Sequence, residues 1–527
     1  MASAEDFAFL VSQARSATAR EHGMTLWEGM RLYPKAMAWS MAVSLVVVME
    51  GFDNALIGSF YALPAFRRTY GEPLPDGSYG LSAPWQAGLS GAMNAGQVLG
   101  LLLNGFIAER LGYRNTMVLA LGATVALVPL LFFAHNVQML VAGEILLGLP
   151  LGIFQTLSIA YAADVSPIVL RGPLTMYVNL SWVIGQLLAL CVLRVLVNNT
   201  SEWSYRIPFA IEWAWPAAML AVMVFAPESP WWFARQGRRD DALKSLHRLV
   251  SRPTKIEFDA GKTVDMMLHA VEIEKSLTEG TGYRDCFRGI DARRTAISCL
   301  IMASQNLCGA GLMAYSTYFY EQAGLPTSES FTLSAVQYAI GFGGTLLGIL
   351  LISYLGRRPL FIAGLLLLAT VLATIGILAA VSDGPRTSWA IGSLLLVFVL
   401  VYDCTVGAPA YILVAEMSST RLRSKTLVIS RILYNVLGIV NSVIIPYMLN
   451  PTAWNWKGKS GFFWAALCLL CALSCWFFLP ETRGRTYSEL DMLFYHQVPA
   501  RAFKSADANP FSYELGPRRN SGATSTG

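Results

Sequence analysis

Pro227-Glu228-Ser229 closes the sixth long apolar run of the chain, and Pro480-Glu481-Thr482 closes the twelfth, 253 residues further on. The same echo occurs twice more. Gly105-Phe106-Ile107-Ala108-Glu109-Arg110-Leu111-Gly112-Tyr113-Arg114 ends the second run and Ser353-Tyr354-Leu355-Gly356-Arg357-Arg358 the eighth, with Gly356 lying 244 positions after Gly112. Asp164 ends the fourth run with Arg171 seven residues later, and Glu416 ends the tenth with Arg423 seven residues later, an offset of 252. Three motif pairs in constant order at nearly constant spacing point to a duplicated unit of six runs.

Each run has the length of a membrane crossing, since a hydrocarbon core about 30 Å thick needs about 20 apolar residues in a helix. Spans 1 to 6 are expected at 37–60, 84–107, 116–134, 138–163, 174–197 and 207–226, and spans 7 to 12 at 295–320, 331–354, 359–381, 389–416, 426–449 and 460–479. The fold class that follows is an all-α membrane protein of 12 transmembrane helices in two six-helix halves. Its parts are a cytoplasmic N-terminal segment (1–36), the first bundle (37–226), a cytoplasmic linker expected to hold short helices (227–292), the second bundle (293–479) and a cytoplasmic tail (480–527). The tail closes in the low-complexity Ser521-Gly522-Ala523-Thr524-Ser525-Thr526-Gly527.

Composition agrees. Of 527 residues, 54% are hydrophobic and 14% charged, where soluble domains carry about 25% charge. A soluble enzyme, a disordered scaffold and a disulfide-rich module are excluded, and a net charge of +5 is too diluted for nucleic-acid binding. With both termini inside, six of the 39 Lys and Arg residues lie outside (Arg67, Arg68, Arg206, Arg386, Lys457 and Lys459) and two, Arg194 and Arg431, within spans. The rest lie inside, so the positive-inside rule sets an N-in/C-in topology. The first 36 residues are too polar for a cleaved signal sequence, leaving span 1 to direct insertion. Overlapping sequons at Asn198 and Asn199 fall in a short outside loop.

None of the eight cysteines lies in an outside loop, so no structural disulfide is expected. Cys468 and Cys471 have metal-site spacing, but on an apolar helix without His or acid they read as small hydrophobes. No metal site, catalytic centre or cofactor is expected. Glycines at 91, 96, 100 and 105 in span 2, and at 341, 343, 344 and 348 in span 8, read as close helix crossings.

Charge inside the spans is the informative remainder, because each such group costs about 2.5–3.5 kcal/mol on insertion scales. Glu50, Asp53, Glu144, Arg194, Asp403 and Arg431 are the groups singled out. Arg194 lies near an outer end and is expected to snorkel. Glu50 and Asp53, three apart, share a helix face. The repeated loops put acids and guanidinium groups at cytoplasmic helix ends: Glu109, Arg110, Arg114, Asp164, Arg171 and Glu228 in the first half, Arg357, Arg358, Glu416, Arg423 and Glu481 in the second. They are expected to pair across the halves as a cytoplasmic latch, closed in one state and separated in the other. Ser353 replaces an acid there, so one latch lacks its carboxylate.

These motifs resemble the sugar porter family of the major facilitator superfamily over about 37–495. Pro227-Glu228-Ser229-Pro230-Trp231-Trp232 and Pro480-Glu481-Thr482-Arg483-Gly484-Arg485-Thr486 carry the resemblance most specifically. Gly58-Ser59-Phe60-Tyr61-Ala62-Leu63-Pro64, Gly143-Glu144 with Phe154-Gln155-Thr156, Tyr205-Arg206-Ile207-Pro208-Phe209, the segment from Tyr315 to Gly324 and Tyr402-Asp403 are similar to the fungal maltose/α-glucoside permeases. The resemblance implies the major facilitator fold and alternating access. It implies that Asp53 stands where proton-driven porters carry an acid, and that Glu144 replaces the Arg usual opposite it. Two such carboxyls without a cation cannot both stay ionised, so Asp53 and Glu144 are the expected proton carriers, with Glu50 and Arg431 modulating them. For the sugar, the resemblance assigns Gln186 and Gln305, with Asn306 where a second Gln is usual, Gly311 where hexose porters have Asn, and Tyr411 in place of a Trp. Tyr315 matches an outer-gate aromatic, and Asn435 is a further mid-span amide.

The function expected is a proton-coupled importer of an α-glucoside such as maltose, a multi-pass plasma-membrane protein acting as a monomer in the lipid bilayer with sugar and protons as its partners. The alternatives are a transporter of another sugar, polyol or glycoside on the same fold, or a non-transporting sugar sensor. A tail of 48 residues is short for a sensor, and the amides of spans 5 and 7 argue against a toxin exporter.

Overall fold

The computed structural model describes residues 23–74, 77–251, 258–278, 282–382, 384–419, 422–483, 485 and 487–506, a few helix residues among them by backbone alone. Residues 1–22 and the low-complexity 521–527 lie outside the described residues, as does the side chain of Ser353. Eleven helices among the described residues are long and apolar enough to cross a membrane. They are Pro34–Phe60 (span 1), Ala83–Leu111 (span 2), Tyr113–Phe132 (span 3), Val137–Val165 (span 4) and Val169–Leu196 (span 5), then Gly289–Ala314 (span 7), Thr327–Ile352 (span 8), Arg357–Val381 (span 9), Pro385–Met417 (span 10), Lys425–Leu449 (span 11) and Lys457–Phe478 (span 12). Trp203–Met223, 21 residues long, supplies span 6 and carries Arg206 and Glu212.

Three spans are broken in the middle. Span 1 passes through a 3-10 turn at Leu45–Val47, and span 10 through a π turn at Asp403–Gly407. Span 7 has a π turn at Asn306–Ala310, where Gly309 takes φ +90°, and resumes beyond Tyr315 as the short helix Ser316–Gln322. A widened turn frees backbone groups and re-aims side chains, which is why such breaks gather at binding sites. Here they put Gln305 beside Gly407: the Gln305 amide donates to the Gly407 carbonyl at 2.8 Å, tying the two breaks together.

Small residues set the helix approaches. A Cβ on Gly96 or Gly100 of span 2 would collide with the Ile145 or Leu149 carbonyl of span 4, and one on Gly148 or Gly152 would collide with span 2 in return. Spans 1 and 5 meet the same way at Gly51 and Gly185. Gly341, Gly344 and Gly348 of span 8 close on Asp403 and Cys404. Gly105 and Gly343 depart from the expectation, having open space around them.

The cytoplasmic motifs repeat closely, but their pairing differs from the cross-half latch expected. Gly112 and Gly356 adopt the same φ +86°, ψ 168°, ending one span and starting the next. The Glu228 carboxylate accepts the backbone N–H groups of Tyr113 (2.9 Å) and Arg114 (3.0 Å) at the start of span 3. Glu481 accepts those of Arg357 and Arg358 at the start of span 9, both at 3.2 Å. Each acid therefore neutralises the positive end of a helix in its own half. Asp164 receives Ser229 Oγ (3.0 Å) and Arg235 (3.1 Å), and Glu416 receives Thr482 Oγ1 and Arg357 (3.2 Å). Arg171 donates to the Ala163 carbonyl and Arg358 to that of Trp476. The exposed side chains of Glu109 and Arg110 join no ion pair among the described residues, and Arg423 opens the helix of span 11. The physical reason is proximity: Glu228 and Glu481 lie within reach of their own half's orphan N–H groups, and Asp164 and Glu416 within reach of side-chain donors beside them. Burial pushes the Glu228 carboxyl above its ordinary range in spite of those two donors.

Glu228→Ala removes this cap and Gly112→Ala adds a strained φ, each costing about 1–2 kcal/mol. Both variants are expected to lower the melting temperature of the detergent-purified protein, with Glu228→Gln falling between Glu228→Ala and the parent; unchanged melting in all three would remove the capping role.

Candidate transport site

Glu50 is buried in span 1 and is reached by two amides, Gln155 Nε2 of span 4 at 2.5 Å and Gln97 Nε2 of span 2 at 3.4 Å. The other end of Gln155 accepts from Arg431 Nε of span 11 at 2.9 Å. Gln155 thus carries the Glu50–Arg431 attraction across the boundary between the halves. Arg431 also donates to the Tyr411 hydroxyl at 3.0 Å, and its guanidinium lies 4.6 Å from the centre of the Tyr434 ring. Each charge has an answer: the carboxylate accepts from amides, and the guanidinium meets an amide oxygen, a phenol and an aromatic face.

One helical turn along span 1 the opposite holds. Asp53 and Glu144 are fully buried and side by side, and none of their four oxygens has a hydrogen-bond donor among the described residues. The two can bond to each other only if one is protonated. A third carboxyl joins them: Glu212 of span 6 is also fully buried, also lacks any donor for its oxygens, and lies within electrostatic range of both. Among the described residues, none of the three forms an ion pair with Lys or Arg. Glu212 was missing from the groups singled out in the sequence, although the apolar context of Phe209-Ala210-Ile211-Glu212-Trp213 marks it by the same rule.

Asp403, the remaining acid singled out in the sequence, sits on the π turn of span 10 against Gly341 and Gly344. Arg194 donates to Thr332 Oγ1 of span 8 at 2.6 Å, so it bridges the halves rather than reaching only for the interface.

The amides divide into committed and free. Asn306 is committed: its Nδ2 donates to the Tyr434 carbonyl at 2.9 Å, and its own carbonyl accepts from Asn441 at 3.0 Å. It braces span 7 against span 11. Gln305 keeps Oε1 unpartnered, and Asn435 is fully buried with both polar atoms unpartnered. Gln186 is buried in span 5 and makes no hydrogen bond among the described residues. Tyr315, also buried, stacks on Tyr61 with ring centres 5.9 Å apart. Orphaned buried amides cost about 1–3 kcal/mol each, a cost that a polyhydroxylated ligand offsets.

Two duplicated six-helix halves, broken spans at their boundary and a polar centre in an apolar bundle define a secondary transporter of the major facilitator type. The chain belongs to the sugar transporter family, whose model, described as "Sugar (and other) transporter", matches residues 39–494. It is 39% identical over 502 residues to the general alpha-glucoside permease of Saccharomyces cerevisiae, covering 94% of this chain and 81% of that one. A maltose permease of the same yeast is 40% identical over 507 residues, covering 95% and 82%. Among solved structures, the proton:xylose symporter XylE bound to 6-bromo-6-deoxy-D-glucose superposes with a TM-score of 0.70 at 21% identity, over 88% of this chain and 99% of that one. Its inward-open form from E. coli gives 0.68 at 23%, over 87% and 99%. These structures share the fold.

Gln155→Leu leaves Glu50 without its nearer donor and Arg431 without one acceptor. Losing a charge-assisted hydrogen bond of about 1.5–3 kcal/mol should slow sugar uptake roughly 10- to 100-fold at normal surface expression. Uptake within twofold of the parent would show that the bridge has no part in transport.

Proposed function

We propose that the chain imports an α-glucoside of the maltose kind together with protons, as a monomer in the plasma membrane. The substrate class follows from relatives at 39–40% identity along nearly the whole chain, named as permeases of alpha-glucosides and of maltose. The observation that carries the coupling is the carboxyl trio Asp53, Glu144 and Glu212, fully buried without a cation or a donor. Ionising any of them in that place costs several kcal/mol. The trio therefore holds protons while it is closed off, and releases one when a conformational change brings water or Arg431 to it. Glu50, held by Gln155 and facing Arg431, has its charge already answered and acts as the fixed partner.

Sugar recognition in this reading falls to Gln186, Gln305 Oε1, Asn435 and Tyr411 around the breaks of spans 7 and 10, with Tyr315 above them. Amide and phenol groups meet hydroxyls, and the Tyr faces meet the C–H faces of the pyranose rings. Asn306 supports this wall from behind through its bonds to Tyr434 and Asn441.

Uptake of labelled glucose, maltose, trehalose and sucrose into transporter-null cells tests the reading. Maltose-type sugars are expected to accumulate, more strongly as the outside pH falls, and a protonophore should abolish the accumulation. Asp53→Asn and Glu144→Gln are expected to eliminate sugar-dependent proton uptake, and Glu212→Gln to weaken it. Proton uptake that persists in the first two variants rules out the trio as carrier, and sugar equilibration indifferent to the protonophore makes the chain a facilitator.

A further inference from the structure

Among the ion pairs of the described residues, the one that joins the two halves lies on the outer side, not among the cytoplasmic motifs. Arg67 sits on the short helix Pro64–Tyr70 that follows span 1, and Glu321 at the end of Ser316–Gln322, the outer piece of span 7. Both terminal nitrogens of Arg67 donate to the two oxygens of Glu321, one at 3.1 Å and the other closer. Its Nε donates to the Tyr61 carbonyl, and its guanidinium lies 5.8 Å from the centre of the Tyr318 ring. Glu321 also accepts from Thr327 Oγ1 at 3.0 Å. Three nitrogens of the guanidinium and both carboxylate oxygens are engaged, and each side chain is less than one-fifth exposed, at 18% and 17%.

Beneath the pair the seal continues inward. Tyr61 of the first half stacks on Tyr315 and meets Tyr318 edge-on, with ring centres 5.9 and 6.4 Å apart. Ser59 and Thr317 exchange a hydroxyl hydrogen bond at 3.1 Å, and Gly58 lies so close to the Ala314 carbonyl that any Cβ there would collide with it. Asn450 of the second half adds a bond at 3.0 Å to the Leu81 carbonyl of the first. The layers run, from outside in, from ion pair to aromatic rings to touching backbones. Sugar moving between the outer solution and the polar centre has to part all three.

We propose that Arg67 and Glu321 form the outer latch of the transport cycle, made when the outer ends of the two halves close and broken when they open. A two-pronged guanidinium–carboxylate contact is short-ranged and directional, so it favours the closed arrangement and contributes nothing once the halves part. Truncating one partner also strands the other as a partly buried charge, which weakens the closed state further. The latch touches neither the carboxyl trio nor the free amides. It sets the balance between outward-open and outward-closed states without altering what the site binds.

The test reads the gate directly, with no sugar or proton gradient present, so its outcome is independent of the coupling and substrate assignments. Ser90, which hydrogen-bonds Tyr61 beneath the ring layer at 2.7 Å, is replaced by Cys as a reporter. Intact cells are then treated from outside with a membrane-impermeant maleimide. Arg67→Ala and Glu321→Ala are expected to raise the labelling rate of the reporter roughly tenfold or more. The charge-reversed double variant Arg67→Glu/Glu321→Arg is expected to bring it back toward the parent rate. Labelling unchanged by both single variants overturns the proposal, as does a reversed pair that labels as fast as the singles. Should the Ala variants fail to reach the surface, Arg67→Lys keeps the charge and loses the two-pronged geometry; an intermediate labelling rate supports the latch and the parent rate counts against it.

Discussion

A charged group inside hydrocarbon must be paired, be neutralised by a proton or reach water, and this chain uses the first two options at sharply separated places. Glu50 and Arg431 are joined through Gln155. Glu228 and Glu481 are held at the membrane edge by the N-termini of spans 3 and 9. Arg67 and Glu321 hold each other at the outer rim. Asp53, Glu144 and Glu212 alone among these are left with neither cation nor donor. Groups already paired have little to gain by changing their charge. Those left unpaired are where a change of protonation and a change of conformation can be the same event.

The duplication explains where the stable parts lie. At the cytoplasmic corners Gly112 and Gly356 share one backbone geometry, and Ser229 and Thr482 make equivalent bonds to Asp164 and Glu416. These contacts stay within a half, so they hold each bundle together as a unit. Asymmetry begins at the centre. The carboxyl trio belongs to the first half, whereas the free amides Gln305 and Asn435 and the cation Arg431 belong to the second. One half carries the groups suited to protons, and the other most of those suited to sugar.

Much of this was legible in the sequence, for reasons that mark the limit of such reading. Apolar run length fixes the spans, since hydrocarbon thickness leaves few alternatives, and the repeated Gly-Arg and Pro-Glu motifs reveal the duplication. Asp53 and Glu144 stand out because acids in apolar runs are rare. What linear order does not carry is the choice of partner. Glu228 reads as readily as one side of a cross-half latch as it does as a helix cap, and only the distance to the Tyr113 and Arg114 amides decides. Gln155 carries no charge, so nothing in its run marks it as the bridge to Arg431. Arg67 and Glu321 lie 254 positions apart in short helices flanking the apolar runs, where charged residues are ordinary. Asn306, a mid-span amide next to Gln305, reads as a ligand contact, and the sequence does not show that its Nδ2 donates to the Tyr434 carbonyl of span 11.

The place of Gln155 connects the two halves of the argument. Arg431 touches Tyr411 and Tyr434 in the wall where the free amides gather, and through Gln155 it also holds Glu50. Glu50 and Asp53 ride on the same face of span 1, one turn apart. Any sugar that draws Arg431 or Tyr411 toward itself therefore pulls on the span that carries one member of the carboxyl trio. The pull need not be large. On the proposed function the trio is poised between a closed place, where its protons cannot leave, and an opened one, where water or a guanidinium makes ionisation cheap, and a small displacement of span 1 relative to spans 4 and 6 moves it between them. In the proposed reading sugar and proton never meet; coupling runs through the bridge between the halves, which ends one helical turn from Asp53.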